Sequence, residues 1–127
     1  MAGNSLNMDQ PKQWYVLRDF KKRNAKKPGY KLLPEFGIRT FTPMHWVIST
    51  RLGKRIREYV PVIQSLLFAY DTKEALDPII EKENALQFQF RRGAGKNYFM
   101  TVPDAEMERF INAVNNDPSP IYFTPEE

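Results

Sequence analysis

Residues 66–80 read LLFAYDTKEALDPII, and this stretch decides the fold. The apolar run 66–70 has the length and composition of a buried β-strand. Asp71 or Thr72 then supplies a side chain that can cap a helix. Four apolar residues fall on one face of that helix: Ala75, Leu76, Ile79 and Ile80. A strand followed by an amphipathic helix predicts a sheet with a helix packed against it.

The alternation of strand and helix continues toward the C-terminus. Apolar and polar residues alternate over residues 86–90 and again over 97–102, and Gly93-Ala94-Gly95 predicts a hairpin turn near their junction. Pro103 then opens a final helix. Its apolar residues recur at helical spacing: Met107, Phe110, Ile111 and Val114.

The N-terminal half adds four strand candidates and a short helix. The strand candidates are residues 14–17, 38–41, 46–51 and 54–60. The helix is predicted with Pro28 near its start and Gly37 after its end, and it is short because Pro34 lacks an amide donor. Leu52-Gly53 predicts a tight hairpin turn. The prediction is an α+β fold: a mostly antiparallel sheet of four or five strands with helices packed on one face, as in ferredoxin-like and RNA-recognition sandwiches.

Three segments divide the 127 residues. Residues 1–12 are polar and predicted to be disordered, residues 13–115 form the folded domain, and residues 116–127 form a proline-rich acidic tail or linker. No internal repeat is found. We expect a monomer.

The composition excludes several kinds of site. The chain has no cysteine, so it has no disulfide, thiolate zinc site or cysteine nucleophile. With one histidine, His45, it cannot build a two-histidine metal site within a single chain. No apolar run reaches the ~20 residues of a membrane-spanning helix, and residues 1–13 lack the pattern of a signal peptide. We therefore expect a cytoplasmic protein without membrane contact.

No group of residues suggests catalysis. His45 lies in a strand-like segment, where a structural role is expected. The Gly93-Ala94-Gly95-Lys96 sequence lacks the spacing of a phosphate-binding loop, and it joins two strands instead of opening a helix. We expect a binding protein, not an enzyme, with no metal, no cofactor and no small-molecule substrate.

Positive charge is concentrated in the first 70 residues, which hold 13 Lys and Arg against 4 Asp and Glu. In residues 21–27, five of seven positions are basic, with no acidic residue nearby to pair with them. A second basic stretch spans residues 51–57. Such clusters attract nucleic-acid phosphates or an acidic partner; a solvated surface that keeps the protein soluble is the alternative.

Four segments, in this order and spacing, together resemble the N-terminal domain of the NusG family of transcription elongation factors. They are residues 12–17 (KQWYVL), 37–43 (GIRTFTP), 53–68 (GKRIREYVPVIQSLLF) and 98–110 (YFMTVPDAEMERF). The last segment is most similar to the UpxY branch of antiterminators associated with capsular polysaccharide operons. The resemblance spans residues 12–114.

The resemblance implies a transcription factor that docks an apolar patch on the clamp helices of RNA polymerase and suppresses pausing or termination. The positions that match the docking surface are Tyr15, Ile63, Leu66, Phe68 and Phe88. A basic rim would face the backbone of upstream or non-template DNA: Lys21, Lys22, Arg23, Lys26, Lys27, Lys54 and Arg55.

The chain also departs from the family pattern. Gln64-Ser65-Leu66 replaces a Pro-Asn/Gly-Tyr triplet, and the family's second domain, a β-barrel with a KOW motif, is not found in these residues. One alternative is an RNA-recognition-type domain that binds single-stranded RNA, with residues 95–100 (GKNYFM) as a weak match to its RNP1 strand. Another is a protein-interaction domain without nucleic acid.

Overall fold

A computed structural model describes residues 11–21, 26–63, 65–93, 96–116 and 122–123. The helices in these residues are α1 (Gly29–Glu35), α2 (Lys73–Lys82) and α3 (Asp104–Asn116). The strands are β1 (Gln13–Asp19), β2 (Arg39–Phe41), β3 (Met44–Arg51), β4 (Lys54–Pro61), β5 (Leu66–Asp71), β6 (Leu86–Phe88), β7 (Phe90–Gly93), β8 (Lys96–Phe99), β9 (Thr101–Val102) and β10 (Tyr122–Phe123). Most of the predicted disordered segment, residues 1–12, lies outside the described residues.

The central sheet is built around β1. Its strand order is β2-β5-β1-β6, and β9 also pairs with β1, so the sheet has five strands, all paired antiparallel. Trp14, Tyr15, Val16 and Leu17 of β1 are all buried. The predicted α+β class with a mostly antiparallel sheet is confirmed.

The helices lie on both faces of this sheet, which corrects the prediction that they share one face. Tyr15 and Leu17 belong to a core cluster with residues of α1 and α2. Trp14 and Val16, which alternate with them along β1, belong to a second cluster with Met107 of α3. A strand that is apolar on both faces requires a cover on both faces, and α3 provides the second one.

The predicted strand over residues 86–90 is interrupted at Gln89. Its backbone N–H donates to the Val16 carbonyl at 3.0 Å, and its carbonyl accepts from Met100 N–H at 2.8 Å. The Val16 N–H donates to the Met100 carbonyl at 3.0 Å and not to Gln89. The ladder between β6 and β1 therefore ends at Gln89, and β7 pairs with β8 in a separate two-stranded sheet. Phe90 is exposed instead of half-buried, which corrects the alternating pattern at its last position.

Strands β3 and β4 form the predicted hairpin, apart from the central sheet. Leu52 and Gly53 have φ of 52° and 78° at the turn, the positive values that a tight hairpin requires. The edge of β3 pairs in parallel with β10, so Tyr122–Phe123 returns to the folded domain. This corrects the prediction of a tail or linker at those two residues; residues 117–121 and 124–127 lie outside the described residues.

Two helix boundaries agree with the sequence prediction. The Thr72 hydroxyl accepts from Ala75 N–H at 3.1 Å, so Thr72, not Asp71, caps α2. Helix α1 begins after Pro28 and is followed by Gly37 at a φ of 77°. Both boundaries depend on residues within one helical turn, which is why sequence alone locates them.

Candidate functional site

An apolar surface lies beside α3. We call it the α3-side surface and define it by Phe41, Leu66, Phe68 and Phe110. The Phe110 ring centroid lies 5.8 Å from that of Phe41 and 5.9 Å from that of Phe68. Strand register pairs Phe41 of β2 with Phe68 of β5. Fully buried Met107 holds α3 on the sheet, and Phe110, three positions later, remains 39% exposed at its margin.

The connection before Leu66 is fixed by polar contacts to β1. The backbone N–H of Asp19 donates to the Ser65 carbonyl at 2.8 Å, and the Arg18 guanidinium donates to the Ser65 hydroxyl at 3.0 Å. Ser65 has a φ of 74°, which is uncommon for a residue other than glycine. The connection exposes Ile63, 49% of whose surface is accessible, and the Ile63 carbonyl accepts from Leu66 N–H at 3.3 Å. Ile63 is thus an exposed apolar residue three positions before Leu66, which belongs to the α3-side surface.

The five residues predicted for polymerase docking do not form one surface. Phe68 lies on the α3 face and Tyr15 on the opposite face, because their register partners are Val16 and Ala69 respectively and adjacent strand residues point to opposite sides. Both are also core residues, with 8% and 6% of their surface exposed. The docking set stays a prediction: of its members on this side of the sheet, Ile63 is exposed, Leu66 is half-buried, and Phe68 supports the surface from beneath.

Tyr15 and Phe88 belong to an aromatic cluster that packs beneath α2. The Phe88 centroid lies 5.5 Å from that of Tyr15 and 5.0 Å from that of Phe99. Burial raises the pKa of the Tyr15 hydroxyl, and the positive charge of Lys73 partly opposes this rise. The cluster packs against the core on this face, so Phe88 lies on the side of the sheet opposite Phe68.

Two docking candidates were not identified from the sequence. The sequence predicts Phe41 only as part of a strand and Phe110 only as part of the apolar stripe of a helix. The sequence does carry one indication of this surface: the apolar stripe of α3 is wide. With Met107, Phe110 and Ile111 close together, α3 carries more apolar surface than one side of a short helix can bury, and part of Phe110 remains exposed.

The basic segment after β1 is closed into a loop by Asp19. Its carboxylate accepts from the backbone N–H of Lys21 at 3.0 Å and from that of Gly29. The Lys21 ammonium donates to the Lys27 carbonyl at 2.7 Å. The two ends of the loop are therefore held together at the start of α1.

Acidic residues do reach this loop, which corrects the sequence-based expectation that none is nearby. Lys21 lies 3.4 Å from the Glu83 carboxylate and Lys27 lies 2.9 Å from that of Glu35. Glu83 follows α2 and is 62 positions away from Lys21 along the chain. Of the other predicted backbone contacts, Lys26, Lys54 and Arg55 are exposed; Lys22 and Arg23 lie outside the described residues.

The geometry does not support the RNA-recognition alternative at its predicted position. That class of domain binds RNA on an open face of its main sheet. Here α1 and α2 cover one face of the central sheet and α3 packs on the other. The RNP1-like residues lie in β8, which pairs only with β7 among the described strands. Phe99 of that strand packs inward against Phe88.

Within the described residues, no group of three His, Asp or Glu side chains is placed to hold a metal ion. None of the helices described there is both long and apolar enough to cross a membrane.

Comparison with known proteins gives one informative result. The family model NusG, described as transcription termination factor nusG, matches residues 12–111. The matched range covers the central sheet, the β3–β4 hairpin and more than half of α3. Among curated proteins, no significant match is found.

Proposed function

Because this chain belongs to the NusG family of transcription factors, whose members generally interact with RNA polymerase, we propose that it docks on the polymerase clamp helices through the α3-side surface. By holding the polymerase in its elongating form, it suppresses pausing or termination. The observation that carries the proposal is the half-exposed Phe110 ring, which lies between Phe41 and Phe68 at the margin of the sheet. A partly exposed aromatic cluster suits the apolar ridge of a helical hairpin.

The finer assignment rests on the resemblance of residues 98–110. On that ground we propose that the protein belongs to the UpxY branch, with polysaccharide-biosynthesis operons as its targets and the cytoplasm as its location. The protein acts as a monomer and catalyses no reaction.

We expect Phe110→Asp to weaken binding to an isolated clamp-helix fragment by about 2 kcal/mol, or roughly 30-fold, because it places a charge in an apolar contact. Ile63→Asp should act in the same direction and disturbs less packing within the domain. Phe36→Asp is the matched control, since Phe36 is also an exposed phenylalanine but follows α1, on the opposite side of the sheet. Binding is measured by titration calorimetry, with a thermal melt of each variant to verify folding. Parent-like affinity in both folded variants would contradict the proposed docking surface.

We also propose that exposed cations contact the nucleic-acid backbone of the elongation complex. Each neutralised phosphate contributes about 0.7–0.9 to the slope of log affinity against log salt. Replacing Lys54 and Arg55 by Gln should therefore reduce the slope by about 1.4–1.8. The control pair is Arg91 and Arg92, which are exposed on the other hairpin.

The same substitutions should leave binding to the isolated clamp fragment unchanged, since that fragment carries no phosphate. Lys21 is expected to contribute less than one full contact, because it is already bonded to the Lys27 carbonyl and paired with Glu83. An unaltered salt slope in the Lys54/Arg55 variant would assign these cations to a solvated surface.

A further inference from the structure

The outer face of the β3–β4 hairpin carries two exposed aromatic rings side by side. Register pairs Trp46 with Tyr59, and their ring centroids lie 5.0 Å apart at an interplanar angle of 42°. Trp46 is 44% exposed and Tyr59 is 54% exposed. The core clusters of the domain include neither ring. The hairpin therefore presents a broad aromatic platform to the surroundings.

The same face is positively charged. The Arg57 guanidinium lies 5.0 Å from the centroid of the Trp46 ring. Alternation along the two strands places eight residues on this face, none of them acidic: Met44, Trp46, Ile48, Thr50, Arg55, Arg57, Tyr59 and Pro61. Residues 44–61 contain four basic residues and one acidic residue, Glu58. The Glu58 carboxylate belongs to the opposite face, where it accepts from the Ser49 hydroxyl at 3.2 Å.

A cleft of about 460 Å³ adjoins the platform at Tyr59. Four hydroxyl-bearing residues, Tyr30, Thr40, Thr42 and Tyr59, line it together with Lys31, Phe41 and Met44. Thr42 is 8% exposed, and among the described residues its Oγ1 atom has no hydrogen-bond partner.

We propose that this hairpin face binds single-stranded RNA. Two successive unpaired bases stack on Trp46 and Tyr59, and Arg57 contacts the phosphates between them. The next nucleotide enters the cleft, where the hydroxyl groups and Lys31 meet its ribose and base edge. A base paired in a duplex cannot expose its flat face to these rings, which excludes double-stranded nucleic acid.

RNA is favoured over DNA because the hydroxyl-lined cleft offers hydrogen-bonding partners to a ribose 2′-hydroxyl, which deoxyribose lacks. RNA is favoured over a protein partner because the excess of basic residues in the hairpin complements a phosphate backbone. The inference goes beyond the proposed function, since docking on the polymerase clamp requires neither ring.

The test is fluorescence anisotropy of the full 127-residue chain with a labelled 12-nucleotide RNA of mixed sequence. Trp46→Ala and Tyr59→Ala should each weaken binding by about 5- to 150-fold, the range expected for loss of one stacked base. Trp46→Phe should retain most of the affinity, because a phenyl ring still stacks. The matched control is Tyr98→Ala, which removes an exposed tyrosine from the RNP1-like strand. Thermal melts check that each variant folds.

Four outcomes would overturn the proposal. They are absence of RNA binding by the parent protein, equal binding of an RNA duplex, equal binding of DNA of the same sequence, and parent-like affinity in the folded Trp46→Ala and Tyr59→Ala variants. A loss confined to Tyr98→Ala would assign the RNA to β8 instead. Clamp-fragment binding is measured in parallel: if Trp46→Ala abolishes it, the platform belongs to a protein interface. Polymerase docking is tested by Phe110→Asp, so failure of one proposal is distinguishable from failure of the other.

Discussion

Trp14→Ala is expected to lower the free energy of unfolding by about 3–5 kcal/mol, whereas Trp46→Ala should lower it by less than about 1 kcal/mol. The two variants test the fold together, because they remove the same side chain from a buried position and from an exposed one. Unfolding in urea, followed by far-UV circular dichroism, measures both values.

The large effect at Trp14 follows from its surroundings. Its ring lies 5.1 Å from that of Tyr70, and the Arg39 guanidinium lies 5.1 Å from the ring centroid on the same face of the sheet. Trp14 is 2% exposed and packs in the cluster that joins the sheet to Met107 of α3. Alanine would leave a cavity that the paired strand β1 cannot close by moving. Comparable losses for the two variants would contradict this description.

Asp19→Ala is expected to lower the free energy of unfolding by about 3 kcal/mol. The substitution removes two hydrogen bonds to a charged acceptor, each contributing about 1.5–3 kcal/mol, and leaves the Gly29 N–H buried without its partner. The ends of the basic loop then separate. The free energy is measured by urea unfolding at neutral pH.

Asp77→Ala is the control for Asp19→Ala. Asp77 pairs with Lys73 at 2.8 Å on the surface of α2, and an exposed pair at this spacing is worth about 0.3–0.5 kcal/mol. A second variant, Gly29→Ala, tests the other side of the contact, because a Cβ at Gly29 would lie 2.8 Å from Leu86 Cδ2 and 2.9 Å from Leu67 Cδ2. Overpacking of this kind costs about 1–3 kcal/mol. Equal stability of the Asp19→Ala and Asp77→Ala variants would mean that Asp19 does not anchor the loop.

Local features of this protein could be predicted from the sequence. The turn at Leu52-Gly53 requires positive φ at both residues, and the cap of α2 is a bond between Thr72 and Ala75. The apolar stripe of α3 is formed by residues that recur at intervals of three and four positions. Each of these is decided by groups that are neighbours in the chain, so the sequence contains the whole interaction.

Features that depend on distant residues could not be predicted in this way. Lys21 lies near Glu83 only because α2 returns to the end of β1. The strand over residues 86–90 breaks because the Gln89 carbonyl bonds to Met100 and not to β1. The candidate site follows the same division. Sequence resemblance predicted Ile63 and Leu66 as docking residues. The separation of Tyr15 from Phe68, and the grouping of Phe41 with Phe110, depend on strand register and on which face of the sheet α3 covers. Tertiary structure decided which side chains share a surface. In a sheet that is apolar on both faces, the sequence pattern does not distinguish the faces, so strand pairing and the covering helices determine the face on which each side chain lies.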